Sequence, residues 1–120
     1  MLNRVVVTGL GALTPLGLNV QDFWKNILNG KSGAANITSF NTEKFKTQFA
    51  CELKNFNAEK YIDKKELRKI DLFSAYALIA TEEAIKDCNL NLDEVNLDDC
   101  GVIWGSGVRG LKTMIQEIGE

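Results

Sequence analysis

The sequence predicts an α/β fold, in which helices cross over between the strands of a mixed or parallel sheet. Apolar runs at 4–8 and 100–104 have the length and β-branched character of strands covered on both faces. Between them, residues 20–28 have helical periodicity, 63–88 are predicted to form a long helix, and another helix is expected at 111–118. The order strand, helix, long helix, strand, helix is typical of crossover connections.

Residues 20–28 are predicted to form an amphipathic helix. Asn19 is a typical N-cap, and Asp22 at the third helical position gives an approximate capping box. Gly30 is expected to end the helix. The apolar stripe of this helix is expected to lie in the core and consists of Val20, Phe23, Trp24, Ile27 and Leu28.

Residues 31–57 are predicted to be irregular. A short edge strand is expected at 47–53, and a short helix at 57–62. Three aromatic side chains are expected to hold this loop to the body of the protein, namely Phe40, Phe45 and Phe49.

The longest predicted helix begins at Asp63, where Glu66 completes a capping box, and runs to residue 88. Residues 70–80 carry only two strongly polar side chains, so this part is expected to be buried. Small residues on it allow another element to approach closely: Ala75, Ala77, Ala80 and Ala84. Asn89 is expected to end the helix, before an acidic connector.

A helix that is apolar on all sides needs a protein layer on each side, and two long strands do not make a stable open sheet. The sequence therefore predicts that residues 1–120 are the N-terminal part of a longer protein or a truncated gene product.

The composition is that of an ordinary globular protein, with 45% hydrophobic and 25% charged residues. A net charge of −2 gives no global argument for nucleic acid or an anionic membrane as partner. No apolar run reaches the ~18–20 residues of a membrane span, and the N-terminus lacks a signal-peptide pattern. A cytoplasmic location is expected.

The chain has 3 cysteines and no histidine. Cys51, Cys88 and Cys100 are far apart, and an odd number without C-x-x-C spacing argues against a disulfide framework or a zinc site. Without histidine, this chain alone cannot form a Ser-His or Cys-His couple. Reduced thiols are expected, and no metal or cofactor is predicted.

The glycine-rich turn after the first strand has two interpretations. Gly9 and Gly11 permit positive φ or the close approach of another backbone segment. Pro15, the single proline of the chain, has a fixed φ. A dinucleotide-binding turn would need a third glycine where Thr14 stands, and an acidic residue ~20 positions further on after a second strand. A nucleotide-binding α/β domain is therefore the weaker hypothesis.

The turn and the motifs after it resemble the β-ketoacyl-[acyl-carrier-protein] synthases. The sequence VVVTGLG at 5–11, followed by PLG at 15–17, is similar to the beginning of those chains. Further matches follow in family order, with FW at 23–24, GKSG at 30–33, RKID at 68–71 and VIWGSGV at 102–108. The resemblance implies a thiolase-like layered α-β-α-β-α fold, of which residues 1–120 are the N-terminal part.

The resemblance also implies a chemistry and a partner. The type II enzymes of this family are homodimers that condense malonyl- and acyl-carrier proteins with loss of CO₂ in fatty acid biosynthesis. Their catalytic cysteine and two histidines lie beyond the matched motifs, so no catalytic residue is expected in residues 1–120. Acyl carrier protein is the implied partner.

Two sets of residues match functional positions of the family. The first set is basic, is implied to dock the acidic carrier protein and consists of Lys64, Lys65, Arg68 and Lys69. On a continuous helix three of these cations share one face, although a solvated helix start is the simpler interpretation of a charge run. Cations at a helix N-terminus oppose the macrodipole, which favours a binding role.

The second set is the glycine turn with Gly107 and Val108, which matches the family's acyl pocket near the dimer interface. A branched apolar side chain at Val108 is implied to limit the reach of the acyl chain, and a packed valine in a turn is the alternative. Arg109 departs from the family pattern, in which glycine is frequent at this position.

Two related functions remain open from the sequence. One is a ketosynthase of polyketide synthesis, and the other is its non-catalytic chain-length partner. A cysteine at the nucleophile position beyond residue 120 would indicate the synthase, and a glutamine there would indicate the chain-length partner.

Overall fold

The computed structural model describes residues 4–107 and 110–119. The helices are α1 (Val20–Leu28), α2 (Lys64–Leu67), α3 (Leu72–Asp87) and α4 (Leu111–Ile118), with 3₁₀ turns at Ala58–Lys60 and Leu97–Asp99. Strands β1 (Ala35–Asn36) and β2 (Phe49–Ala50) pair antiparallel, with Ala35 opposite Ala50. The short strand and short helix predicted between residues 47 and 62 are therefore confirmed, as is the last helix.

Helix α1 has the capping that the sequence predicts. Asn19 Oδ1 accepts a hydrogen bond from the N–H of Asp22 at 2.7 Å, and Gly30 has a φ of +64° just beyond the helix end. The prediction that its apolar stripe lies in the core is wrong for this chain, since Trp24 and Leu28 are 58% and 69% exposed. Periodicity identifies the face of a helix, but only a covering layer buries it.

The single long helix predicted over 63–88 is instead two helices. Asp63 caps α2 by accepting the N–H of Lys65 at 2.7 Å, but α2 ends after one turn. Asp71 then has extended backbone, with φ −71° and ψ 157°, and α3 begins after it. An aspartate favours the N-cap conformation over a helix interior, which explains the new start at this residue. Asn89, with φ +52°, follows the end of α3 as predicted.

The N-terminal segment lies directly on α3. A Cβ atom at Gly11 would overlap the carbonyl oxygen of Ala80, and one at Gly9 would overlap that of Ala84. The glycines are thus needed for close approach to the helix backbone. The best-buried side chains of the described residues lie on α3: Ala75, Ile79 and Ala80. The predicted close contact at the alanines is confirmed for Ala80 and Ala84.

The segments predicted as buried strands have no sheet partner among the described residues. Val5 is 90% exposed and Ile103 is 99% exposed, so the prediction of a buried parallel sheet is wrong for this chain. A strand requires a neighbour to satisfy its N–H and C=O groups, and a sheet face requires a layer to cover it. The apolar composition of these segments gives them a propensity to form strands, but neither has a partner strand among the described residues.

The predicted aromatic anchors of the 31–57 loop are also not those observed. Phe40 and Phe45 pack edge to face at 5.6 Å between ring centroids but stay more than half exposed. Phe56 instead contacts Tyr76 of α3 at 5.3 Å and Tyr61 at 6.1 Å. Burial in this cluster raises the pKa of the Tyr76 phenol.

The molecule exposes more surface than a compact domain of its size. Its accessible area is 10484 Å², whereas a compact 13.3 kDa monomer exposes about 6,500 Å². The radius of gyration is 17.7 Å, against about 14 Å for a compact chain of this length. Within residues 4–107 and 110–119, no helix is both long and apolar enough to cross a membrane.

Candidate functional site

The backbone donors of the glycine-rich turn are occupied by carboxylates of α3. Glu83 accepts the N–H of Ala12 through Oε2 and that of Val20 through Oε1, each at 2.8 Å. Asp87 Oδ2 accepts the N–H of Leu10 at 2.9 Å. A bound phosphate would need such N–H groups and would be repelled by the two carboxylates. The turn is therefore an anchor to α3, which argues against the nucleotide-binding hypothesis.

The sequence analysis did not identify Glu83 and Asp87. A usable signal was present, because the two are spaced i, i+4 and so lie on one side of the helix. Their partners are backbone groups more than 60 positions away in sequence, which no local pattern reveals.

The predicted docking cluster, defined as Lys64, Lys65, Arg68 and Lys69, surrounds the short helix α2. All four residues are exposed, and Arg68 is the C-cap, with φ −72° and ψ −14°. Lys64 Nζ lies 3.4 Å from Glu59 Oε1, and no ion pair to a described residue involves the other three. The continuous helix assumed for their shared face is wrong, but the cluster remains a compact group of exposed cations.

An apolar cleft of ≈ 640 Å³ separates α3 from residues 102–106. The α3 wall consists of Phe73, Ser74, Ala77, Leu78 and Thr81. The opposite wall consists of Val102, Trp104, Gly105 and Ser106. The chain continues from Ser106 to Gly107, which is exposed at the end of this wall. Val108, the other predicted pocket residue, lies outside the described residues.

The cysteines do not gather into a site in the described structure. Cys51 and Cys100 are exposed, and Cys88 is half-buried with its Sγ donating to the carbonyl of Ile85 at 3.2 Å. In the described ranges, no group of three or more His, Cys, Asp or Glu side chains is arranged to hold a metal ion.

Comparison with known proteins identifies the family. Residues 2–119 match the family model described as beta-ketoacyl synthase, N-terminal domain. The chain therefore belongs to the β-ketoacyl synthase family, and its resemblance to a thiolase-like ketosynthase domain is confirmed. The segment that packs on α3 through Gly9 and Gly11 therefore lies within a ketosynthase N-terminal domain.

The relatives that the chain matches have a more specific name than the family. The chain is 48% identical over 110 residues to "3-oxoacyl-[acyl-carrier-protein] synthase 2" of Staphylococcus aureus (strain COL), covering 92% of this chain and 27% of that protein. It is 41% identical over 111 residues to the protein of the same name from Synechocystis sp. (strain ATCC 27184 / PCC 6803 / Kazusa), with the same two coverages. The chain thus spans about a quarter of the length of these relatives.

A solved structure has the same fold. "The ishigamide ketosynthase/chain length factor" superposes with a TM-score of 0.68 at 32% sequence identity. The match covers 75% of this chain and 22% of that one. The matched 75% of the chain is therefore arranged as in part of that protein.

Proposed function

We propose that this chain supplies the N-terminal part of a 3-oxoacyl-[acyl-carrier-protein] synthase II, a cytoplasmic homodimer of fatty acid biosynthesis. The observation that carries the proposal is the 48% identity to a protein of that name over 92% of this chain. In the complete enzyme, segments 4–8 and 100–104 are strands of a shared sheet, which gives their apolar side chains a covering layer.

The reaction is a decarboxylative condensation. A cysteine thiolate attacks the thioester of acyl carrier protein, the carrier's thiol leaves, and an acyl-enzyme thioester forms. Malonyl carrier protein then loses CO₂, and the resulting enolate carbon attacks the acyl-enzyme and releases the cysteine. The nucleophile and two histidines of this mechanism lie outside residues 1–120, so this segment contributes binding and shape.

The first contribution is docking of the carrier protein. The four exposed cations of the docking cluster present positive charge to an acidic partner, in a chain whose net charge is −2. Exposed complementary charges act mainly by accelerating encounter and fixing orientation. Acyl carrier protein is therefore the proposed partner of this surface.

The second contribution is one end of the acyl pocket. The apolar cleft is lined mostly by aliphatic and aromatic side chains, which suits a hydrocarbon chain. Gly107 and Val108 follow the wall at 102–106 in sequence. We propose that Val108 limits acyl length there, close to the dimer interface.

A polyketide ketosynthase or its chain-length partner is the second candidate, favoured by the structural match to a ketosynthase/chain length factor. The identity of 32% to that protein is lower than the 41–48% to the synthase 2 relatives. Fatty acid elongation is therefore the better-supported assignment.

The test is condensation activity of the intact protein that contains this segment. With acyl- and malonyl-loaded carrier protein it should form β-ketoacyl carrier protein, and changing its nucleophilic cysteine to alanine should abolish the product. The 120-residue chain alone, which has no histidine, should form none. An intact protein with glutamine at the nucleophile position and no condensation activity would support the chain-length partner instead.

A further inference from the structure

Asp71 makes an unexpected connection between helices α3 and α4. It is the N-cap residue of α3, yet its side chain forms no capping hydrogen bond there. Its carboxylate Oδ1 instead accepts the hydroxyl of Thr113, 42 positions further along the chain. A residue that favours local capping therefore holds a distant helix.

The start of α4 is shaped to receive this carboxylate. Gly110, its N-cap residue, has a φ of +59° and no side chain with which to cap the helix. A Cβ at Gly110 would lie 3.0 Å from Asp71 Oδ2. A negative charge beside the first turn of a helix is stabilised by the helix dipole, and the Thr113 hydroxyl adds a hydrogen bond to a charged acceptor.

The two helices that this contact joins are adjacent in sequence to the two walls of the apolar cleft. On one side, Asp71 leads directly into the cleft residues Phe73 and Ser74 of α3. On the other side, Gly105 and Ser106 of the cleft lead through the glycine turn to Gly110 and α4. The Asp71–Thr113 bond therefore links the start of α3, whose next turns line the cleft, to α4, the helix that follows the second wall in sequence.

We propose that Asp71 is a positioning residue for the acyl pocket, which fixes the start of α4 against α3 and thereby sets which acyl lengths the enzyme accepts. Asp71 touches neither the substrate nor the reacting atoms in this role and acts through α4. The inference rests on the proposed function, because it assigns the apolar cleft to the acyl chain.

The experiment uses the intact synthase and a series of acyl carrier proteins with short to long chains. Asp71→Ala and Thr113→Val each remove one side of the bond, whereas Thr113→Ser retains the hydroxyl. We expect the first two to change the ratio of kcat/KM between long and short chains by roughly two- to tenfold, the equivalent of one lost hydrogen bond. Thr113→Ser should preserve the wild-type ratio.

Asp93→Asn is the matched control, because Asp93 is exposed and its side chain makes no hydrogen bond to the described residues. A variant that only lowers the amount of folded enzyme reduces kcat/KM equally for every chain length, so the ratio isolates positioning from stability. An unchanged ratio in Asp71→Ala and Thr113→Val, with wild-type enzyme active, overturns this inference alone. Wild-type enzyme without condensation activity overturns the proposed function as well.

Discussion

Single residues in this chain fix loops by satisfying several backbone groups at once. Glu52, after β2, accepts both the N–H and the hydroxyl of Thr38, at 2.9 and 2.8 Å. It also accepts the hydroxyl and the N–H of Ser39, at 2.6 and 3.3 Å. The donated hydrogen bonds, foremost that of the Ser39 hydroxyl, lower the pKa of Glu52 to about 2.

The loop at 38–39 should therefore loosen in acid. Because the folded pKa of Glu52, about 2, is below the ordinary 4.5, its contribution to stability is complete above pH 4.5. This contribution is lost as the pH falls toward 2. We expect the amide protons of Thr38 and Ser39 to lose protection from hydrogen exchange over this range.

Glu52→Gln should remove the pH dependence of this protection and leave the amides of Thr38 and Ser39 less protected at every pH. Glu94→Gln, the control, should keep the wild-type profile. Hydrogen exchange followed by NMR measures both effects. A pH profile at Thr38 that is the same in wild type and Glu52→Gln would contradict this account.

Gly11 gives the second prediction at the scale of a residue. Gly11→Ala puts a Cβ against the carbonyl of Ala80, a backbone atom that cannot move without shifting α3. We expect a loss of about 1–3 kcal/mol in the free energy of unfolding, as for overpacking in a core. Urea denaturation measures it in the intact protein.

Lys46→Ala is the control for Gly11→Ala, since Lys46 is exposed on the 37–48 loop. It should change the free energy of unfolding by no more than about 0.5 kcal/mol. Equal losses in the two variants would show that the close approach of Gly11 to α3 is not the cause.

At the scale of elements, helix α3 organises the chain. Its C-terminal half holds the glycine turn and the start of α1 through Glu83 and Asp87, and the residue that caps it holds α4. The docking cluster lies just before it, around the separate helix α2. Carrier-protein docking is thus proposed next to the best-packed helix of the chain.

Charge reversal in the docking cluster should weaken the interaction with the carrier protein specifically. In the intact synthase, Lys65→Glu with Arg68→Glu should raise KM for acyl carrier protein thioesters and change the salt dependence of kcat/KM, because exposed charges are screened. Activity on small thioester surrogates should change little, since the reacting atoms are untouched.

The control for this double variant is Lys44→Glu with Lys46→Glu, which reverses two exposed cations on the 37–48 loop. It should leave KM for carrier-protein thioesters near wild type. Equal losses with carrier-bound and small substrates in the Lys65 and Arg68 variant would mean that the cluster has a structural role.

At the scale of the whole molecule, exposed apolar surface dominates. Val5 and Val7 are 90% and 80% exposed, and Val102 and Ile103 are 81% and 99% exposed. Exposed apolar side chains of this size favour association, and unpaired strand-forming segments pair with other chains.

The 120-residue chain by itself should therefore self-associate. Sedimentation velocity should show oligomers that increase with concentration, and Ile103→Asn should reduce them more than Leu97→Asn, which changes an exposed residue of a 3₁₀ turn. A monomer with a cooperative thermal transition would contradict this expectation.

Local signals in the sequence were sufficient for the ends of several elements. Asn19 and Gly30 set the ends of α1, Asn57 the start of the first 3₁₀ turn, and Asn89 the end of α3. Each depends on the conformational preference of one residue and on hydrogen bonds within a few positions, so it is readable from the chain. The family was also predictable, because its motifs are local strings in a fixed order.

The candidate site was predictable only in part. The docking cluster is visible as a charge run, and its role remains a prediction, as does that of Gly107 and Val108. Asp71 and Glu83 escaped sequence reasoning because their partners, Thr113 and Ala12, are 42 and 71 positions away.

By itself, then, the sequence determined the family, the helical segments and the apolar segments of this protein, since those follow from residue type and short-range spacing. Tertiary structure alone decided that the glycines face α3. It also decided that the valines at 5–7 have no partner strand among the residues that the structure describes. Burial and strand pairing require a second surface, and no single segment specifies the surface that will meet it.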